Sequence, residues 1–279
     1  MDETRSRWID EIERRGWLED NKSLSRCVKD FQEFWGLPDT GEFDPDTTEA
    51  LLKPRICGNP ELIADMRRES GRGVRAWRNR DGSVIKELSV YVENLSRWVS
   101  PQERVLNCLH GAIREINEAC GLTLKVTSDR RSADILAATG RIDGSGGTLA
   151  WSELPPSNPC QQKYDSGERW SFEPKERGIY LQAVFLHEIC HALGLEHFRG
   201  STGNLMDARY DRDVFSLQSG DFDELVSRYG PRTEPLPPPM PVPAAPCPPE
   251  PASPDTDSIT VTVHVGEKYY VGIIDEASP

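Results

Sequence analysis

The sequence predicts an α/β (α+β) domain built on a mixed sheet and preceded by a small all-α module. Between residues 84 and 230, strand-like runs alternate with amphipathic helical runs, and such alternation over about 150 residues favours one α/β domain. Before residue 54, apolar residues recur only at helical spacing. With 279 residues, of which 37% are hydrophobic, the chain can form one medium-sized domain with accessory segments.

Helices joined by turns make up the N-terminal module. The central helix carries one apolar stripe and ends at the run 36–41, which contains glycine and proline. A further helix is predicted over residues 47–52, because Pro45 and neighbouring acidic residues suit a helix N-terminus. The stripe consists of Leu24, Cys27, Val28, Phe31, Phe34 and Trp35.

The α/β domain is predicted from alternating periodicities along the chain. Runs of β-branched and aromatic residues indicate strands, and apolar residues three and four apart indicate helices. The predicted strands cover residues 88–92, 122–126, 133–137 and 147–151, and the predicted helices cover 101–119, a histidine-rich segment and 219–229.

The composition divides the chain into four segments. Residues 1–71 are the helical module and residues 72–230 the α/β domain, while residues 231–256 form a stiff proline-rich spacer. Residues 257–279 alternate as in a short β-hairpin. The stretch 62–83 is rich in Arg, Gly and Ser and is expected to be exposed and easily cut.

Charge and hydropathy exclude several partner classes. A net charge of −13 disfavours nucleic acid and anionic membranes as partners. No apolar run approaches the roughly 18 residues of a membrane-spanning helix, and the charged start at residues 1–5 lacks the apolar stretch of a signal peptide. The seven cysteines have no short-spaced framework, so disulfide pairing stays open.

The most informative stretch is residues 187–197, with the spacing HExxHxxGxxH. Residues four apart share a helix face, so His187 and His191 can bind one ion. Gly194 permits a positive-φ turn that ends the helix and lets His197 supply a third nitrogen. Three protein ligands with a fourth position open are typical of a catalytic zinc.

A carboxylate accompanies these ligands. Glu188 follows the first ligand and can reach a water on the metal. Zinc polarises a carbonyl and lowers the pKa of its water, and a carboxylate can accept the proton and return it to a leaving group. The motif therefore predicts metal-dependent hydrolysis with Glu188 as the catalytic residue.

Over roughly residues 20–230 the chain resembles the matrixins, the matrix-metalloproteinase branch of the metzincin zinc endopeptidases. The segment 204–210 is similar to the family's Met-turn, which implies that Met206 lies beneath the metal and that Tyr210 borders the specificity pocket. Ala183 stands where the family sets pocket depth, and its small side chain implies a roomy pocket. The implied activity is hydrolysis of peptide bonds within proteins.

The resemblance also implies a calcium site. Residues 143–150 are similar to the family's calcium loop, and residues 164–170 are similar to its acidic partner segment. Ca²⁺ prefers oxygen ligands of this kind. Carried over position by position, the ligands would be the carboxylates of Asp143, Asp165 and Glu168 and the carbonyls of Gly144, Gly146 and Thr148.

The second, structural zinc of the matrixins is expected to be absent. The family holds that ion with three histidines and an aspartate. None of the residues at the matching positions can replace an imidazole, so we expect one zinc, with packing and calcium supporting the fold there. These residues are Thr139, Arg141, Trp151 and Lys163.

The N-terminal module is similar to the helical peptidoglycan-binding-like fold that serves as the matrixin propeptide. Residues 53–61 resemble the family's cysteine-switch segment, which implies that Cys57 binds the zinc in a latent form. Two departures from that motif are the inserted Ile56 and a glutamate in place of the last aspartate. Cleavage within residues 66–76 would leave a mature enzyme that begins near Trp77.

Two other functions stay open at this point. The chain could be a cell-wall-associated zinc hydrolase in which residues 20–53 bind peptidoglycan, although Cys57 close behind that module favours a propeptide. It could also be an inactive zinc-binding module with partner contacts in its C-terminal segments, which the intact Glu188 argues against. The family resemblance implies protein or peptide substrates and an extracellular location, for which the start of the chain offers no visible route.

Overall fold

The computed structural model describes most of the chain up to residue 235 and a C-terminal strand pair. The protein divides into two compact units, Met1–Pro239 and Met240–Pro279. Most of the predicted cleavage segment and nearly all of the proline-rich spacer lie outside the described residues. The described residues are 3–14, 17–18, 21–52, 55–59, 75–94, 97–99, 101–233, 235, 258–265 and 268–275.

Among its described residues, the N-terminal module contains the helices α1 (Glu3–Arg14), α2 (Leu24–Phe34) and α3 (Pro45–Leu52). Ser23 caps α2, because its side chain accepts the N–H of Arg26. The apolar stripe predicted for α2 is confirmed, and its side chains form the core of the module. That core contains Ile12, Trp17, Val28, Phe31, Phe34, Trp35, Ala50 and Leu51.

The α/β part is built on a six-stranded mixed sheet, as predicted. Its strand order is β1-β5-β6-β4-β2-β3. Neighbouring strands are parallel except for the antiparallel pair β5 and β6. The strands are β1 (Arg55–Cys57), β2 (Glu87–Val92), β3 (Thr123–Val126), β4 (Ile135–Gly140), β5 (Thr148–Ser152) and β6 (Cys160–Asp165).

Helices α4 (Gln102–Ala119) and α5 (Leu181–Ala192) pack against each other and against this sheet. Helix α6 (Ser219–Tyr229) closes the unit. A short parallel pair, β7 (Trp170–Ser171) and β8 (Ile179–Tyr180), leads into α5. Among the described residues, no helix is long and apolar enough to cross a membrane.

Strand β6 is the main element that the sequence analysis missed. It lies between β4 and β5, yet the run Cys160–Asp165 contains two glutamines and a lysine, and its residues do not show the apolar alternation of a strand. Gln162 is nevertheless 2% exposed. Because this buried polar side chain interrupts the apolar pattern, the strand could not be recognised from the sequence.

The C-terminal unit contains the predicted hairpin. Strands β9 (Ser258–Val265) and β10 (Lys268–Asp275) pair antiparallel, with Val265 opposite Lys268.

Candidate metal centre

Helix α5 and the turn after it carry the three predicted metal ligands. His187 and His191 are 0% and 1% exposed, and His197 in the turn is 4% exposed. Their Nε2 atoms lie 3.1 to 3.2 Å from one another. The structure thus brings together the three nitrogens that the spacing predicted.

The turn depends on Gly194. Its φ is +96°, and a Cβ atom there would lie 2.4 Å from the carbonyl oxygen of Arg75. Glycine alone tolerates both conditions without strain or displacement of the backbone. The predicted positive-φ turn is therefore confirmed, and it directs the chain back so that His197 reaches the other two ligands.

Backbone carbonyls orient two of the imidazoles. Nδ1 of His187 donates to the carbonyl of Leu205, and Nδ1 of His191 donates to that of Leu195, both at 2.8 Å. Because burial lowers the pKa of both rings, that of His191 to about 4, they are neutral at pH 7. A neutral ring protonated at Nδ1 presents a lone pair at Nε2.

The donor set fits a zinc ion. Inward lone pairs at this separation repel one another unless a cation lies among them. The spacing suits the Zn–N bonds of about 2.0–2.1 Å in a tetrahedral site. His187, His191 and His197 would therefore hold the metal, with the carbonyls of Leu205 and Leu195 as second-layer partners.

The turn whose Leu205 carbonyl accepts from His187 also carries Met206, which is wholly buried. The carboxylate of Asp221 accepts the N–H groups of Leu205 and Met206 at 2.9 and 3.1 Å. Since Leu205 also accepts from His187, Asp221 fixes a ligand through this turn. Sequence reasoning missed Asp221, although the capping box that it forms with Gln218 at the start of α6 was an available signal.

Glu188, which follows His187 on α5, is wholly buried. Burial raises its pKa well above the usual value of a glutamate, while a hydrogen bond from Cys57 acts in the opposite direction. Oε2 accepts from the Cys57 thiol at 3.6 Å, and the buried Oε1 has no hydrogen-bond partner among the residues that the structure describes. A carboxylate in this position can take up a proton from a reacting group beside the metal.

Cys57, at the end of β1, lies close to Glu188 and to the three imidazoles. It lies opposite Ala150 in the parallel pairing of β1 with β5, and the N–H of Gly58 donates to the carbonyl of Ala150 at 2.6 Å. The N–H of Asn59 donates to the Cys57 sulfur at 3.2 Å. Within the described part of the chain, Cys57 and the three histidines form a single group able to hold a metal, with all ligand atoms within 4.8 Å of one another.

Two carboxylates of the acidic partner segment hold the loop that is predicted to bind calcium. Asp165 is 0% exposed and accepts the N–H groups of Asp143 and Gly144 at 2.9 and 2.7 Å. Glu168 accepts the N–H of Gly146 at 2.7 Å. The two segments that the sequence analysis paired therefore do lie together.

The calcium ligands themselves stay a prediction. Asp143 accepts the N–H of Thr148 at 3.0 Å. Among the residues that the structure describes, these acids do not form a cluster with ligand atoms as close together as those around His187. Burial raises the pKa of Glu168, and the nearby Asp165 and Asp143 charges add to that shift, so a cation here would relieve repulsion between carboxylates.

The remaining predicted positions lie on α5, in the loop after the Met206 turn, and on β5 and β6. Ala183 is wholly buried on α5, and the Tyr210 hydroxyl accepts the N–H of Tyr180 at 3.0 Å. The pocket roles of Ala183 and Tyr210 stay predictions. Trp151 and Lys163, two of the substituted second-zinc positions, face each other across β5 and β6.

The helical module contacts the loop that follows the Met206 turn. Ala208 is 0% exposed and belongs to the hydrophobic core of the module. The guanidinium of Arg209 lies 4.1 Å from the centroid of the Trp35 ring. Arg199 forms an ion pair with Glu33 at 3.6 Å. Sequence reasoning did not identify these contacts, because they join residues far apart in the chain.

Comparisons with known proteins agree with this geometry. Residues 86–230 match the family model described as Matrixin. Matrix metalloproteinase-25 of Mus musculus is 33% identical over 233 residues, which cover 75% of this chain and 36% of that protein. The human protein of the same name is 32% identical, with 76% and 41% covered. The hatching enzyme of Paracentrotus lividus is 30% identical, with 76% and 35% covered, so the chain spans well under half the length of these relatives.

Proposed function

We infer that this chain, which belongs to the matrixin family, is a zinc-dependent endopeptidase that hydrolyses peptide bonds within proteins. The observation that carries the inference is the convergence of three imidazole nitrogens within 3.2 Å. The buried carboxylate of Glu188 contacts the Cys57 sulfur that lies with them. Matrixins use a catalytic zinc together with calcium, and the donor set on α5 suits that zinc.

Glu188 serves as the general base and then as the general acid. When bound, zinc supplies Lewis acidity that polarises the scissile carbonyl and acidifies water at the site. The Glu188 carboxylate accepts the proton of the attacking water and passes it to the leaving amine. Burial raises the pKa of the Glu188 carboxyl, and a higher pKa makes its carboxylate a stronger proton acceptor.

The uncut chain is a latent form. The Cys57 sulfur lies among the three imidazoles and also contacts Glu188 at 3.6 Å. As a thiolate it would fill the fourth ligand position and keep water from both the metal and the base. Strand β1 occupies the side of β5 on which an extended substrate would add as a further strand.

The helical module stabilises this latent form through a second contact. The Arg209 and Trp35 pair and the buried Ala208 support a docking contact between the module and the loop next to the specificity pocket. A guanidinium stacked on an indole contributes about 0.5–2 kcal/mol, depending on its exposure. Release of Cys57 therefore requires that this contact also loosens.

The other site residues have supporting roles in this proposal. Met206 forms the floor beneath the metal, while Tyr210 and Ala183 border the pocket for the substrate side chain. Calcium, bound between the two acidic segments, rigidifies the loop before β5. Its proposed ligands are Asp143, Gly144, Gly146, Thr148, Asp165 and Glu168.

The alternative of a cell-wall hydrolase has no support. The relatives described above are metalloproteinases and a hatching enzyme, and those names do not refer to peptidoglycan. The contacts of the module with Ala208 and Arg209 are those of a segment docked on its own catalytic domain.

The test combines metal content with proteolysis of the full-length chain. We expect one zinc per chain. Casein cleavage should be weak before processing and strong after limited trypsin digestion. Arg67, Arg68 and Arg72 offer sites for this digestion. A chelator should abolish the activity and added Zn²⁺ should restore it. A digested, zinc-loaded protein that leaves casein intact would contradict the proposed activity.

A further inference from the structure

A buried amide joins β5 to the turn of α5 that carries the general base. Gln162 on β6 is 2% exposed, and its Nε2 donates to the main-chain carbonyl of Glu188 at 2.8 Å. The same nitrogen donates to the hydroxyl of Ser152 at 3.2 Å. Ser152 lies directly opposite Gln162 in the β5–β6 register. One nitrogen atom therefore contacts both β5 and the backbone of Glu188.

A tyrosine fixes the orientation of this amide. Tyr164 lies two residues further along β6, on the same face, and its hydroxyl donates to Oε1 of Gln162 at 2.9 Å. The Tyr164 ring is wholly buried and packs against Trp98 and against Phe185 of α5, with centroids 5.2 and 4.8 Å away. Because both ends of the amide have partners, it has one favoured orientation.

Stability alone does not account for a glutamine here. Within a helix the carbonyl of Glu188 already faces the N–H of residue 192, so it does not need a second donor. Burying an amide has a desolvation cost, and an apolar side chain of the same volume can be equally stable when no partner is left unsatisfied. The bond from Gln162 to Glu188 therefore adds position to a carbonyl that is already paired, while the bond from Tyr164 keeps a buried hydroxyl satisfied.

We propose that Gln162 is a positioning residue that fixes the distance between β5 and the carboxylate of Glu188. The inference rests on the proposed peptidase function, in which β5 locates an extended substrate and α5 locates the base. Misplacement by a fraction of an ångström between two such groups lowers turnover more than binding. Gln162 contacts both elements through one atom, and Tyr164 holds that atom in place.

The decisive variant is Gln162→Met, which keeps the volume and the unbranched shape but lacks both hydrogen-bonding groups. In the full-length chain after limited tryptic cleavage, we expect kcat to fall about tenfold while KM stays within twofold. Tyr164→Phe, which removes only the orienting hydroxyl, should lower kcat about threefold. This milder variant keeps the test valid if Gln162→Met does not fold.

Asn117 offers a matched control. It is 5% exposed, and its side chain joins α4 to β3 through two hydrogen bonds with Leu124, at 3.0 and 2.7 Å. Asn117→Leu should lower the unfolding temperature but leave kcat unchanged. Loss of kcat in Asn117→Leu equal to that in Gln162→Met, or a kcat within twofold of wild type in Gln162→Met, would overturn the proposal.

A spectroscopic measurement separates this proposal from the peptidase function. Replacing the metal of the uncut chain by Co²⁺ gives a visible spectrum that reports the geometry of the ligands on either side of Glu188. We expect Gln162→Met to change this spectrum and Asn117→Leu to leave it unaltered. If the wild type cleaves no protein, the peptidase function fails; identical Co²⁺ spectra for wild type and Gln162→Met would overturn the positioning role separately.

Discussion

The thiol of Cys57 lies 3.6 Å from the carboxylate of Glu188, although the two residues are 131 positions apart in the sequence. The same sulfur is within 4.8 Å of the ligand nitrogens of all three histidines. A single side chain thus covers both parts of the proposed hydrolytic machinery. Removing it should expose the metal and the base together.

Replacing Cys57 by serine should activate the uncut chain. A neutral hydroxyl is a far weaker zinc ligand than a thiolate, so the fourth position would open. We expect cleavage of a fluorogenic peptide to rise at least about tenfold, which corresponds to roughly 1.4 kcal/mol. Cys27→Ser, at a buried thiol of α2, is the control. Equal activity of uncut wild type and Cys57→Ser would exclude the thiol as the inhibitory ligand.

Glu188→Gln should separate metal binding from catalysis. The amide keeps the size of the side chain but cannot accept the proton, so turnover should fall by about 10² to 10⁴. The zinc content should stay at that of the wild type, because Glu188 is not a ligand in the proposed site. Glu118→Gln, at an exposed residue of α4, is the control. A Glu188→Gln enzyme of normal turnover would require another base.

Arg209→Met should weaken the contact between the helical module and the loop that follows the Met206 turn. Methionine keeps an unbranched apolar stem but removes the charge stacked on Trp35. A loss of about 1 kcal/mol should make Cys57 react roughly fivefold faster with a thiol reagent in the uncut chain, as measured by peptide mass spectrometry. Arg212→Met is the matched control, because that side chain instead donates to the carbonyls of residues 175 and 176. Equal labelling rates in both variants would argue against the docking contact.

Without metal, the unfolding free energy should fall as pH drops from 6.5 towards 4. Burial lowers the pKa of His191 to about 4, whereas an unfolded histidine titrates near 6.5. Between these values the unfolded chain binds a proton that the folded protein does not, which costs up to about 3 kcal/mol of stability. His191→Gln should show a shallower decrease in urea unfolding of chelator-treated protein. If the unfolding free energies of wild type and His191→Gln fall in parallel with pH, His191 is not the source of the acid sensitivity.

Asp165→Asn should loosen the acidic loop. Although burial raises the pKa of Asp165, the N–H donors of Gly167, Gly144 and Asp143 hold it below its usual value. Loss of these charge-assisted bonds should destabilise the protein by about 2 kcal/mol. Added Ca²⁺ should raise the unfolding temperature of wild type but not of this variant. Asp129→Asn, in an exposed turn, serves as the control, and a wild type that is indifferent to Ca²⁺ would remove the calcium proposal.

The parts of the site that depend on local spacing were predictable from the sequence. His187, His191 and Gly194 follow helix and turn geometry over a few residues. The structure places the two Nε2 atoms 3.1 Å apart and gives Gly194 a φ of +96°. Asp221 and Gln162 were missed, because each contacts the centre through hydrogen bonds to backbone groups of distant segments. Such bonds leave no periodic signal in the sequence. A polar residue buried in a strand contradicts the apolar pattern on which strand prediction depends.

The same limit applies to the pairing of β1 with β5. Arg55–Cys57 is a three-residue strand, and its partner Thr148–Ser152 lies some ninety positions later. A motif resemblance indicated that Cys57 reaches the metal, whereas the register opposite Ala150 required the folded sheet. The inserted Ile56 lies inside this strand, so the departure from the family motif is accommodated within the paired segment.

The position of β1 at the end of the sheet order also bears on solubility. Among the described strands, β1 pairs only with β5, so its departure would leave the N–H and C=O groups on one side of Thr148–Ser152 without that partner. Unpaired strands of this kind associate with one another and promote aggregation. In addition to its proposed inhibitory role, β1 would therefore protect β5 against self-association. Processed protein should form oligomers at a lower concentration than the uncut chain, unless a bound peptide takes the place of β1.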